Sequence, residues 1–261
     1  MQHVLITGAA SGIGLEVARS YAARGDQLTI VDRDATALEA VAPELQAAGA
    51  TSCRSLAVDL TTIGAPASII GQAWNEAPVD VLVSSAGVYP ATPFLELDES
   101  KWDFVQGINT RTPTLLAVEL AKRAIPEDRK PNIVNISSGA ALRARPGAAP
   151  YSTSKAALEA ATKAAALELG RYGIRVNAVA PGFIEVDSHV NPVTEEYASA
   201  VGDTPLGRRG KPSDIATAVL WLSGGDAEWV TGTVLRVDGG SSTGAWHLPL
   251  HWDALEQGEI A

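Results

Sequence analysis

The chain has 261 residues, 46% of them hydrophobic and 19% charged, with 30 acidic against 20 basic side chains and a net charge of −10. That length and apolar content suit one large α/β domain rather than a disordered chain. The acidic field argues against a nucleic-acid partner, and Cys53, the single cysteine, excludes an intrachain disulfide and points to reducing, cytoplasmic surroundings.

The opening QHVLITG reads as a strand entering a glycine turn rather than as a signal peptide. Short apolar, β-branched runs follow at 4–7, 28–31, 55–58, 79–84, 132–137, 174–179 and 233–237. Apolar on both faces, they suit strands of a parallel sheet covered on both sides. Helical patterns lie between them, near 13–24, 34–48, 65–76, 99–124, 152–171 and 213–223. Asp34, Ser100 and Ser213 are N-cap types, with Pro212 just before the last, and Gly25, Gly49 and Gly173 stand where left-handed C-terminal residues are wanted. The alternation predicts a Rossmann-like, doubly wound, mainly seven-stranded parallel sheet with helices on both faces, forming one domain over 1–261. No apolar run approaches the roughly 18 residues of a membrane span, so no membrane partner is expected. Cys53 reads either as a reactive thiol or, more simply, as a small half-buried residue near a strand.

The first strand runs into TGAASGIG at 7–14 and then into an amphipathic helix. Small residues there let backbone N–H groups approach a pyrophosphate at a helix N-terminus. Gly8 would permit the turn, Gly12 the close approach and Gly14 tight helix–sheet packing. The spacing is not GxGxxG, so a purely structural turn remains an alternative. Asp32 ends the second strand, where a carboxylate suits an adenosine ribose and repels a 2′-phosphate, favouring NAD over NADP. Arg33 beside it could instead hold that phosphate.

In YSTSK, Tyr151 and Lys155 are four residues apart on a predicted helix and share a face. A free tyrosine titrates near about 10, but a neighbouring ammonium would stabilise the phenolate and make Tyr151 a usable general acid/base. An exposed surface pair is the simpler reading of those two residues alone.

Taken together, TGAASGIG, Asp59 after the third strand, Ala86-Gly87, Asn109, NISS at 135–138, YSTSK, Pro181-Gly182 and the terminal VTGTVLRVDGG resemble the short-chain dehydrogenase/reductase family, in order, over nearly the whole chain. The resemblance implies a catalytic set of Asn109, Ser138, Tyr151 and Lys155. Ser138 would bond the substrate oxygen and Tyr151 exchange its proton. Lys155 would hold the nicotinamide ribose and lower the tyrosine pKa, and Asn109 would hold a relay water. It implies cofactor contacts at Gly8, Ser11, Gly12, Ile13, Gly14, Asp32, Arg33, Asp59, Leu60, Ala86, Gly87, Tyr151, Lys155, Pro181, Gly182 and Ile184. Asp59 would meet the adenine edge. Read singly, Ser138 also suits a strand-end cap, Asn109 a buried structural amide and Asp59 a turn.

Three departures from the family pattern stand out. Ser84-Ser85 replace two asparagines before Ala86-Gly87, Val186 replaces a common threonine after Pro181-Gly182, and Ala141 replaces a glycine after the catalytic serine. The substrate loop would lie at about 185–211 with a short helix near 194–200. Arg143 and Arg145 read either as attractors of an anionic substrate or as solvated loop charges. In the tail, at about 241–261, Trp246, His247, His251 and Trp252 read as pocket lining or as an anchor at an oligomer interface. With Pro249 between the two histidines and no third ligand evident, no metal site is expected.

The expected activity is reversible oxidation of a secondary alcohol to a ketone with NAD. The alternatives are an NADPH-dependent carbonyl (3-oxoacyl-type) reductase and a cofactor-binding protein without turnover. A homo-oligomer, tetramer or dimer, is implied, with contact faces on the helices at 99–124 and 152–171.

Overall fold

The structure is a computed structural model describing residues 1–186, 194–245 and 248. Its strands are β1 His3–Thr7, β2 Gln27–Asp32, β3 Ser52–Ala57, β4 Val81–Ser84, β5 Asn132–Ile136, β6 Arg175–Pro181 and β7 Val234–Val237. The helices are α1 Gly12–Ala22, α2 Ala35–Ala47, α3 Ala65–Glu76, α4 Glu99–Gln106, α5 Thr112–Ala124, α6 Ala149–Leu169, α7 Glu195–Gly202 and α8 Pro212–Ser223.

The seven strands form one parallel sheet in the order β3-β2-β1-β4-β5-β6-β7. The winding reverses between β1 and β4, so a crevice opens at the carboxyl ends of the central strands, where ligands of such sheets bind. Alternation along each strand fills two cores. Val4, Ile6, Leu28, Ile30, Val83 and Val134 face a cluster that includes Tyr21 of α1 and Val219 of α8. Leu5, Val31, Leu82, Ile133 and Val176 face the other, with Ile69 of α3 and Leu116 and Leu120 of α5. This two-sided burial explains the nearly continuous apolar runs. Tyr21 and Ser223 share a buried hydrogen bond between α1 and α8.

The elements depart from the sequence expectations in several places. β3 covers 52–57 rather than 55–58, because an edge strand half open to solvent carries no apolar signal at Ser52 and Arg54. α6 begins at Ala149, which places Tyr151 in its first turn. Ser100 is not the cap of α4. Asp98 is, accepting from Lys101 N at 2.8 Å, and Ser100 Oγ donates to the same carboxylate. Nor does Ser213 cap α8, since Pro212 is its first residue and the Asp214 carboxylate turns back to accept from Lys211 N at 2.8 Å.

The largest difference lies at 99–124, where one helix was expected. A π-helical segment at Gly107–Arg111 separates α4 from α5. An extra residue in a turn shifts the side-chain phase locally. It sends Asn109 into the core, where its amide accepts from Val88 N and donates to Val88 O, each at 2.9 Å, and to Ser154 Oγ at 3.1 Å. Thr110 Oγ1 donates to Ser154 O at 2.9 Å, docking the segment on α6 beside Tyr151.

Candidate active site

A cleft of about 960 Å³ runs along the carboxyl ends of the strands, from Asp32 to Tyr197. β1 leaves the sheet at Thr7, and the N–H groups of Gly8 and Ala9 donate to Val31 O. Gly8 has φ +68°, and a Cβ there would lie 2.7 Å from the backbone N and Cα of Ala86, so the turn lies directly against the loop after β4. At Gly14 a Cβ would lie 2.1 Å from Gly8 O. The close contact at this position is therefore between α1 and the turn itself, not between helix and sheet. Ser11 caps α1 without a side-chain hydrogen bond, and Ser11, Gly12, Ile13 and Gly14 line the cleft at the positive end of the helix.

Asp32 reaches the cleft from the end of β2. Its Oδ2 accepts from Ala10 N at 3.2 Å and its Oδ1 from the N–H groups of Arg33 and Asp34 at 2.7 and 3.2 Å. The carboxylate thus braces the glycine turn and keeps lone-pair capacity for a ribose. Arg33 lines the same end. Asp59 accepts from both the N–H and the hydroxyl of Thr61 at 2.8 Å, which holds its carboxyl below the usual range. Leu60 lines the wall, and its carbonyl accepts from Thr112 Oγ1 at 3.0 Å.

Ser84, the last residue of β4, is buried and its hydroxyl has no hydrogen-bond partner among the described residues, whereas Ser85, Ala86 and Gly87 line the cleft. Gly87 has the space of a missing side chain, since a Cβ there would sit 3.4 Å from Asn109 Oδ1 and 3.5 Å from Lys155 Nζ. Pro181, Gly182, Ile184 and Val186 form the opposite rim. Gly182 N donates to Val237 O at 3.0 Å, and Ile184 pairs with Gly210, so this rim is anchored to the sheet and to the segment before α8.

The candidate proton-transfer residues Ser138, Tyr151 and Lys155 line the same cleft. Tyr151 hydrogen-bonds with Ser138, whose hydroxyl also accepts from Ala140 N at 3.1 Å to cap the turn at Gly139–Ala141. Ser138 therefore serves as cap and as partner of the phenol. Lys155 Nζ lies 5.8 Å from the Tyr151 ring centroid and donates to Ile136 O at 2.8 Å. Burial lowers the Lys155 ammonium to about 8. Tyr151 is half-buried by surface but densely enclosed, and burial raises its phenol, with Ser138 and the charge of Arg145 working against that rise. The expected lowering by Lys155 is not met here, because the ammonium's bond goes to Ile136 rather than to the phenol.

Tyr89 and Tyr197, which carried no sequence signal, complete the wall with Arg145, which the sequence offered as one of two candidate anion attractors. Tyr89 packs on Tyr151 with ring centroids 4.6 Å apart and shares a hydrogen bond with Tyr197 of α7. Burial and Tyr197 push the Tyr89 phenol up to about 12. Arg145 Nη1 donates to the Tyr197 hydroxyl at 2.8 Å. They come from three distant segments, so only folding brings them into contact. α7 occupies the stretch where a short helix was expected, but 187–193 and the tail residues Trp246, His247, Pro249, His251 and Trp252 lie outside the described residues. Burial pushes the Cys53 thiol up to about 11, away from a reactive thiolate. Among the described residues no helix is long and apolar enough to cross a membrane.

Residues 8–242 match a family model described as enoyl-(acyl carrier protein) reductase. The chain is 38% identical over 239 residues to galactitol 2-dehydrogenase (L-tagatose-forming) of Cereibacter sphaeroides, covering 90% of this chain and 92% of that protein. A short-chain type dehydrogenase/reductase from Mycobacterium marinum superposes with a TM-score of 0.87 at 29% identity, covering 93% of this chain and 96% of that one. A 4-hydroxyisoleucine dehydrogenase complexed with NADH superposes with a TM-score of 0.82 at 28% identity, covering 94% and 100%.

Proposed function

This chain belongs to the short-chain dehydrogenase/reductase family and is an NAD(P)-dependent oxidoreductase acting on alcohol or carbonyl groups, and from that premise we propose that it oxidises a secondary alcohol reversibly to a ketone with NAD. The observation that carries the reading is the Tyr151–Ser138 hydrogen bond with Lys155 beside it, at the centre of a cleft that begins at the glycine turn.

The cleft fits a nicotinamide dinucleotide. Gly8, Ser11, Gly12, Ile13 and Gly14 would hold the pyrophosphate at the α1 N-terminus, and Asp32 the adenosine ribose, with Arg33 beside it. Asp59, Leu60, Ala86 and Gly87 would flank the adenosine, Lys155 would reach the second ribose, and Pro181, Gly182 and Ile184 the nicotinamide. Once bound, the cofactor supplies the hydride acceptor. The Ser138 hydroxyl would hold the substrate oxygen, and Tyr151, once its phenol has released its own proton to solvent, would take the alcohol proton as the carbonyl forms. Ser138 and the Arg145 charge favour the phenolate at that moment. The side-chain amide of Asn109 is committed to Val88 and Ser154, so its relay role would run through its backbone carbonyl while the amide fixes the N-terminal part of α6.

NAD is favoured by the Asp32 carboxylate at the end of β2 and by the NADH named for the 4-hydroxyisoleucine dehydrogenase. The reading takes the chain as one cofactor-binding domain in a cytoplasmic homo-oligomer. Exposed Leu115 and Val118 on α5 and Leu167 on α6 support those faces as contacts. The test is turnover of an alcohol and ketone panel with both nicotinamide cofactors. Tyr151→Phe should cut kcat by about 10³-fold with the fold intact, and full activity in that variant would exclude the mechanism.

A further inference from the structure

The loop that follows Ser138 carries two arginines into the cleft beside Tyr151. Both bonds found for them go to neutral oxygens: Arg143 Nη2 donates to Ser241 O at 3.0 Å, and Arg145 Nη1 to the Tyr197 hydroxyl at 2.8 Å. Among the described residues neither charge is neutralised by a carboxylate. Arg143 is exposed, whereas Arg145 is half-buried. Its loop is held from Arg145 to the start of α6, with Ala148 N donating to Arg145 O at 3.1 Å and Thr92 N to Gly147 O at 3.0 Å. In a chain of net charge −10, a half-buried guanidinium with no carboxylate partner among the described residues is open to the anion of a ligand. Of the described carboxylates that line the same cleft, Asp32 ends β2, Asp59 follows β3, and Asp203 is an exposed residue just after α7.

We propose that the substrate end of the cleft is a carboxylate site, in which Arg145, positioned by Tyr197 of α7, binds the acid group of a hydroxy acid whose alcohol is oxidised at Tyr151. The guanidinium keeps free N–H groups beyond the one given to Tyr197, and its planar fork matches a carboxylate. The Arg145 charge acts on the Tyr151 phenol, so the two groups share one electrostatic field. Tyr197 joins Arg145 and Tyr89, and Tyr89 packs on Tyr151, so the anion site is linked by contact to the proton-transfer group. Because Tyr197 belongs to α7, the acid would also hold that helix over the substrate.

This inference rests on the oxidoreductase reading but names its substrate class, and the experiment separates the two. kcat/KM is measured with NAD for 2-, 3- and 4-hydroxy monocarboxylates, each beside its primary amide, with galactitol as a neutral polyol. The wild type is expected to favour the acid over its amide by about 30-fold at the best chain length, the size of a charge-assisted bond pair. Arg145→Gln should collapse that ratio towards one, with Arg145→Lys in between and Tyr197→Phe raising KM more than it lowers kcat. A wild-type ratio near one, a ratio unchanged in Arg145→Gln, or galactitol outperforming every acid overturns the carboxylate site. Calorimetric binding of the same acids in the presence of NADH decides the question without turnover: weaker binding to Arg145→Gln than to wild type supports the site, and equal binding or none to either overturns it. If Tyr151→Phe kept full turnover while Arg145→Gln still lost affinity, the mechanism would fall and the substrate class would stand.

Discussion

Glu159 of α6 and Arg236 of β7 form a two-bonded ion pair directly behind Ser137 and Ser138, with Nη1 to Oε1 at 2.8 Å and Nη2 to Oε2 at 2.9 Å. Ser137 Oγ donates to the same Glu159 Oε1 at 2.8 Å. The pair ties the helix that carries Tyr151 and Lys155 to β7, and the Ser137 bond ties it to the segment after β5 that delivers Ser138. Its side chains are 12% and 25% exposed, and removing one partner leaves a mostly buried charge. Such losses cost about 3–5 kcal/mol when burial is complete, so Glu159→Gln should cost about 2–3 kcal/mol after allowance for solvent. Urea unfolding of Glu159→Gln, Arg236→Met and the double variant checks this. The double variant should lose less than the sum of the singles, and additive losses would contradict a coupled pair.

The glycine turn and an open helix-end glycine should respond in opposite ways. Gly14→Ala places a methyl group 2.1 Å from Gly8 O, and no side chain can yield there. The first turn of α1 must shift, and cofactor affinity should fall by more than about tenfold. At Gly170 a Cβ meets nothing within 4 Å. Gly170→Ala should leave cofactor affinity alone and change stability by no more than about 1 kcal/mol, in the favourable direction. Fluorescence titration with NADH and thermal melts of both variants provide the comparison.

Lys155 predicts a pH dependence with a definite sign. Burial lowers its ammonium from 10.5 to about 8, so below pH 8 the folded and unfolded chains both carry the proton and the folded state bears the cost of the buried charge. Between about pH 8 and 10.5 the folded chain releases the proton first, the unfolded chain binds more, and stability from this group rises with pH. The stability of wild type relative to Lys155→Met should therefore increase between pH 7 and pH 9.5 in chemical denaturation. A difference that stays flat or shrinks would show that the ammonium is not desolvated.

Asp32 should set the choice between nicotinamide cofactors. Asp32→Ala removes the carboxylate that opposes a 2′-phosphate and leaves Arg33 beside the site. The ratio of kcat/KM for NADP to that for NAD should rise by about tenfold or more. Because Asp32 also accepts the N–H groups of Ala10, Arg33 and Asp34, the variant should melt lower as well. Asp32→Asn, which keeps one acceptor oxygen, separates the two effects.

The parallel sheet, its helical covering, the glycine turn at Gly8 and the shared face of Tyr151 and Lys155 were legible in the sequence, because local chemistry dictates them, whereas Ser138 was singled out by the family resemblance. Two-sided burial forces β-branched runs, tight turns force small residues, and a helix puts residues four apart on one face. The π-helical turn at Gly107–Arg111 was hidden, since a single extra residue within an otherwise helical pattern is fixed by the docking of Asn109 and Thr110 on Val88 and Ser154. The sequence also placed a cation next to a phenol without deciding which atom the cation would bond. Folding gave Lys155 the Ile136 carbonyl and enclosed Tyr151 enough to raise its pKa. The contacts of Tyr89, Arg145 and Tyr197, and the pairing of Glu159 with Arg236, join segments far apart along the chain. No local spacing encodes such contacts, because they depend on where the sheet and its helices bring those segments together.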